Sequence, residues 1–144
     1  EPDSADGRRP RDAQAAQVRE RGPVAVADAM LPRLFADPVH GHHSATAESV
    51  RRVILAMPPA GIIGALSAMR DRPDSTDLLP TLSSVPTLVI VGEGDRITPP
   101  DGARAMADAI PGADFVLVPG AGHMSPMEQP AAVTDAILAF LRRV

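Results

Sequence analysis

Cysteine, lysine, tryptophan and tyrosine are all missing from the 144 residues. Without cysteine there is no disulfide framework, no thiolate metal site and no thiol nucleophile, so covalent chemistry has to use another side chain. Without lysine, arginine carries all 14 positive charges against 18 acids, and the net charge of −4 is spread with both signs interleaved. No basic face follows from that pattern, and nucleic acid is not expected as a partner. Long apolar runs are missing too. Leu88 to Val91 and Ala136 to Leu141 fall far short of the roughly 20 residues of a membrane span, so no membrane partner is expected either. The opening stretch from Glu1 to Arg11 has neither an initiating methionine nor an apolar signal segment. The chain is therefore expected to begin partway through a longer protein, with the cytoplasm as the default location.

With 44% hydrophobic and 22% charged residues, the composition is that of an ordinary globular chain rather than a disordered one. Its first half reads as helical. Asp12 to Glu20 is a helix-forming run, interrupted by Gly22-Pro23. Val24, Val26, Ala27, Met30, Leu31 and Leu34 then set up a second apolar face that should kink or end near Pro32. After the turn-rich Asp37 to Ser44, either Ser44 or Thr46 can cap a third helix, whose apolar positions Val50, Val53, Ile54 and Met57 recur at steps of three and four. Pro58-Pro59 should stop it. Ile62, Ile63, Leu66 and Met69 mark one more helical stripe before the turn-rich Arg72 to Thr76.

The pattern changes after Pro86. Thr87 to Val91 and Phe115 to Val118 are short continuous runs rich in β-branched residues, as expected of strands in a parallel sheet. Between them, Thr98 followed by Pro99, Pro100 and Asp101 predicts a capped helix start, and Pro111-Gly112 a stop after Ile110. A last helix is predicted from about Pro130 to Arg143, with Val133, Ile137, Phe140 and Leu141 on one side. Strand, helix, strand, helix is the order that builds parallel strands with helices packed on the sheet.

In such sheets ligands bind beyond the carboxyl ends of the strands, where this sequence places an acid and a base. Asp95 follows the first strand in Gly92-Glu93-Gly94-Asp95, and His123 follows the second in Gly120-Ala121-Gly122-His123. A carboxylate there can accept a hydrogen bond from imidazole Nδ1, fixing the tautomer so that Nε2 is free to take a proton from a serine hydroxyl. With acid before base in this setting, Val85 to Leu141 closely resembles the last two strands and helices of the α/β-hydrolase superfamily. Within it, the likeness is to the 3-oxoadipate enol-lactonase and bacterial esterase group.

The resemblance implies an α/β fold in which residues 1–84 form a helical cap with a leading linker and residues 85–144 the C-terminal part of the hydrolase core. It also implies hydrolysis of a small carboxylic ester or lactone through an acyl-serine, with Asp95 and His123 as catalytic residues and no metal or organic cofactor. The sequence departs from the family in having no Gly-x-Ser-x-Gly elbow and no His-Gly-type oxyanion turn. The partner supplying them, and the missing strands, is expected to be an N-terminal half of the fold or a second copy of the chain. Haloalkane dehalogenase chemistry stays open while the nucleophile is unseen. A non-catalytic half-fold serving as a binding or assembly module is the alternative, favoured by the absent elbow and opposed by the intact acid and base.

Other residues carry weaker chemistry. Met57, Met69 and Met124 are adaptable apolar side chains that could line an acyl pocket, although a core role is the plainer reading. Ser125 lies on no strand-to-helix elbow and reads as the cap of the next turn. His40, His42 and His43 crowd one loop without a convergent carboxylate and read as solvated. Arg51, Arg52 and Arg70 could pair with a substrate carboxylate but read first as helix-face charges.

Overall fold

A computed structural model describes residues 5–36 and 44–144. His40, His42 and His43 lie outside the described residues.

Helix α1 (Ala5–Arg21) ends at Gly22, whose φ of 72° puts it in the left-handed region open to glycine, and the Gly22 N–H returns to the Val18 carbonyl at 2.9 Å. Helix α2 (Val24–Leu34) runs two residues past Pro32 before the backbone turns extended at Phe35. Helix α3 (Ala45–Ala56) is capped by Ser44, whose hydroxyl oxygen accepts the Ala47 N–H at 3.0 Å. Pro58 then takes an extended conformation, and helix α4 (Pro59–Asp71) leaves α3 at a bend of 98°.

These helices share two small apolar clusters. Ala15 and Val18 of α1 pack on Leu66 of α4, flanked by Ile62, Ile63 and Met69. Ala27, Leu31, Leu34 and Phe35 at the end of α2 pack on Ala47 and Val50 of α3, flanked by Ile54 and Met124. Full burial of each valine, leucine or phenylalanine among them stabilises the fold by about 1.5–3 kcal/mol before entropy is counted, and each alanine by less. The predicted α3 stripe is only half used, because Val53 and Met57 point outward and are 64% and 48% exposed.

After α4, a 3₁₀ helix (Thr76–Ser84) fills a stretch in which only the turn chemistry at its start is readable from the residues. It begins where Asp74 Oδ1 accepts both the Thr76 N–H at 2.9 Å and its hydroxyl at 2.6 Å. Strands β1 (Leu88–Gly92) and β2 (Asp114–Val118) then form a parallel two-stranded sheet, in register from Leu88 opposite Asp114 to Gly92 opposite Val118. Helix α5 (Pro100–Ala109) connects them, a short helix α6 (Ser125–Glu128) follows β2, and α7 (Pro130–Leu141) closes the described chain.

One expectation fails here. The cap position of α5 is Pro99, and Thr98 makes no capping bond. On α7 only Val133 is buried, against Val118 and Ala121, whereas Ile137 and Leu141 are 41% and 56% exposed. Among the described residues, no single helix is long and apolar enough to cross a membrane.

Candidate active site

Parallel pairing puts the carboxyl ends of β1 and β2 side by side, and the loops leaving them are stitched together by backbone. The Glu93 N–H donates to the Val118 carbonyl at 3.0 Å, and the Gly94 N–H to the Ala121 carbonyl at 2.8 Å. Glycine is required at Gly92 for this approach, because a Cβ there would lie 2.2 Å from the Gly122 carbonyl oxygen and 2.4 Å from that of Ala121.

The result is a short contact between the two residues singled out by the sequence. His123 Nδ1 lies 2.9 Å from Asp95 Oδ2. Asp95 is buried and His123 is about one-third exposed, its side chain standing at 34%. Asp95 is held firmly in turn. Its Oδ1 accepts the N–H groups of Ile97 at 2.8 Å and Thr98 at 2.9 Å, and its Oδ2 accepts the Thr98 hydroxyl at 2.7 Å.

Burial of the Asp95 carboxyl is the largest single influence on its ionisation and opposes it. The donors from the Thr98 backbone, His123, the Thr98 hydroxyl and the Ile97 backbone together outweigh burial and hold its pKa below the ordinary aspartate value. An ionised Asp95 makes Nδ1 the protonated nitrogen of His123, which leaves Nε2 as the ring atom able to take up a proton.

Thr98 is the side chain beside the pair that the capping pattern concealed. Its hydroxyl has a single proton, given to Asp95, so its oxygen faces His123 Nδ1 as a second acceptor at 3.2 Å. The Asp-x-x-Thr spacing is also that of a local side-chain turn, a signal as readable in the sequence as the cap.

A cleft of about 740 Å³ opens beside the pair, with Asp95, Thr98, His123, Ser125, Ile97 and Met106 in its lining. Ser125 is buried and occupies the first position of α6 rather than its cap, which is Met124. The three methionines considered for a pocket are not brought together. Met57 is exposed, Met69 packs beside Leu66, and Met124 packs on the α2 and α3 cluster. Of the arginines, Arg70 contacts Asp12 at 2.6 Å and Asp71 at 2.7 Å, Arg51 lies 3.7 Å from Asp28, and Arg52 donates to the Ser49 hydroxyl at 3.2 Å. Among the described residues, no three His, Cys, Asp or Glu side chains gather as metal ligands would.

The architecture has clear relatives. An esterase from Thermogutta terrifontis superposes with a TM-score of 0.91 at 47% identity, over 99% of this chain and 52% of its own. An enol-lactonase from Burkholderia xenovorans LB400 superposes with a TM-score of 0.81 at 31% identity, over 90% of this chain and 49% of its own. A putative non-heme bromoperoxidase from Mycobacterium tuberculosis is 37% identical over 81 residues, which are 55% of this chain and 31% of that protein. The chain thus spans about half the length of the solved structures it resembles, and less of the curated relative. The family model described as TAP-like protein matches residues 67–144, more than half of the chain. On its fold and on that match, this chain belongs to the α/β-hydrolases.

Proposed function

We propose that this chain supplies the acid and the base of a serine-type hydrolase acting on a small carboxylic ester or lactone. The observation that carries the reading is the 2.9 Å contact between Asp95 Oδ2 and His123 Nδ1 at the carboxyl ends of two parallel strands. The esterase and enol-lactonase among the similar structures support the substrate class. Serine and oxyanion donors are assigned to the half of the fold that the matched structures have beyond the aligned region.

In this mechanism His123 Nε2 takes the proton of the serine hydroxyl as its oxygen attacks the carbonyl carbon. Asp95 holds the ring in the Nδ1–H tautomer and stabilises the imidazolium that forms. When the tetrahedral intermediate collapses, the imidazolium gives its proton to the departing alkoxide. That alkoxide leaves as an alcohol from an ester, or stays tethered to the acyl group when a lactone opens. Water then attacks the acyl-serine, His123 removes its proton, and that proton returns to the serine as the acid is released.

His123→Ala in the full-length protein tests the assignment with an activated ester. Base and acid vanish together, so turnover is expected to fall by about three to six orders of magnitude with substrate binding little changed. Turnover within tenfold of the parent would overturn the assignment.

A further inference from the structure

Glu128 closes the short helix α6, and both of its carboxylate oxygens accept from backbone N–H groups outside that helix, one nearby in the chain and one far from it. Oε2 accepts the Gly122 N–H at 2.7 Å, and Oε1 accepts the Ala36 N–H at 2.8 Å. The first amide directly precedes His123. The second lies just past the end of α2, 92 residues from Glu128 in sequence. Between them the backbones themselves touch, because the Met124 N–H donates to the Leu34 carbonyl at 3.1 Å. Gly122 has no room for a side chain, since a Cβ would lie 2.5 Å from the Ala36 nitrogen and 2.6 Å from the Phe35 carbonyl carbon.

Two backbone segments pressed this closely have N–H groups turned from water, and such groups need acceptors. A carboxylate has the geometry and charge to satisfy two at once, and bonds to an ionised acceptor are shorter and stronger than neutral ones. The residue before the base and the residue after it are thereby both tied to residues 34–36, one through Glu128 and one directly.

We propose that Glu128 is a positioning residue for His123, holding the base loop against the end of α2 so that the imidazole meets Asp95. The role rests on His123 being the base, but the clamp has readouts of its own. Glu128→Gln keeps the size of the side chain while leaving one oxygen for two N–H donors and turning an NH₂ group toward the other.

In the full-length protein, this variant should exchange the Gly122 and Ala36 amide protons at least about tenfold faster and lose the slowly exchanging His123 Nδ1 proton resonance. Its kcat on an activated ester should fall by about ten- to a hundredfold with KM within about twofold, the signature of misplaced rather than missing chemistry. Glu128→Asp, with the carboxylate kept and its reach shortened, gives the same readouts if the glutamine variant does not fold; it should protect one amide and release the other. Unchanged exchange at both amides would overturn the proposal. So would faster exchange with the Nδ1 resonance and kcat unaltered. A parent protein without ester turnover would remove the hydrolase reading, and the Nδ1 resonance would still decide whether Glu128 positions the ring.

Discussion

Asp95 is surrounded by donors from one short loop and one distant ring, so two substitutions separate what each does. Asp95→Asn keeps the shape but can donate to Nδ1, favouring the wrong imidazole tautomer, and kcat on an ester should fall by roughly 10⁴, as for the analogous change in serine proteases. Unchanged kinetics would mean that the acid sits elsewhere. Thr98→Val removes the hydroxyl that bridges Asp95 and His123 while leaving the backbone N–H groups in place. A loss of about tenfold in kcat is expected, because one neutral-to-charged hydrogen bond of about 1.5 kcal/mol is gone while the pair itself persists. The same donors make a prediction about pH. Because the folded-state pKa of Asp95 lies below its unfolded value of about 3.9, its contribution to stability is complete above that value and is lost as pH falls through the lower folded pKa. Thermal unfolding between pH 6 and pH 2 should therefore show a steeper acid decline for the parent than for Asp95→Asn. Parallel declines would show that Asp95 is not held as an ion.

At the scale of elements, the sequence was most informative where a single local rule decides the outcome. Ser44 capped α3, Gly22 and Gly112 took positive φ at the turns after α1 and α5, and the β-branched runs paired as parallel strands. It was least informative where position depends on a neighbour distant in sequence. Val53 and Ile137 fall on plausible apolar faces, yet no described element covers them, because helical spacing says which residues share a side and not what will meet that side. The site divides in the same way. Loop position marks out Asp95 and His123 in the sequence, whereas Thr98 sits in a capping pattern and Glu128 in no local signal, since its partners at Gly122 and Ala36 become neighbours only on folding. Gly122 looked like one more loop glycine, and its role as a contact point is tertiary. Gly122→Ala should thus destabilise more than an ordinary loop change, by about 2 kcal/mol or more, because backbone atoms rather than a flexible side chain occupy the space. Chemical denaturation alongside Gly102→Ala, at a helical glycine with open space around it, provides the comparison. Equal losses in the two variants would count against the close approach.

For the molecule as a whole, the sheet sets the terms. It has two strands, each with one edge unpaired among the described residues, and two strands alone form a marginal sheet in water. Leu117 on β2 is 43% exposed, Leu138 and Leu141 of α7 are 43% and 56% exposed, and Leu88, Ile90 and Phe115 are only partly buried. The similar esterase and enol-lactonase structures are about twice as long as this chain's match to them. If the remaining half of such a fold supplies the nucleophile, the oxyanion donors and the flanking strands, one experiment reads chemistry and assembly together. The 144 residues made alone should self-associate and bind a hydrophobic dye, since the unpaired strand edges and the half-exposed apolar side chains beside them have nothing to cover them among the described residues. They should also show no saturable ester turnover, because a base with no hydroxyl to activate offers only slow imidazole hydrolysis that rises linearly with substrate. Mixing with a separately made N-terminal half should restore saturable turnover and convert the sedimentation profile to a single species with the mass of one copy of each. Restoration should fail when His123→Ala is carried by this chain, which ties the recovered activity to the proposed base rather than to the added half. A monodisperse monomer of these residues that turns over ester with saturation by itself would defeat the account, because the nucleophile would then have to lie among residues where no elbow is found.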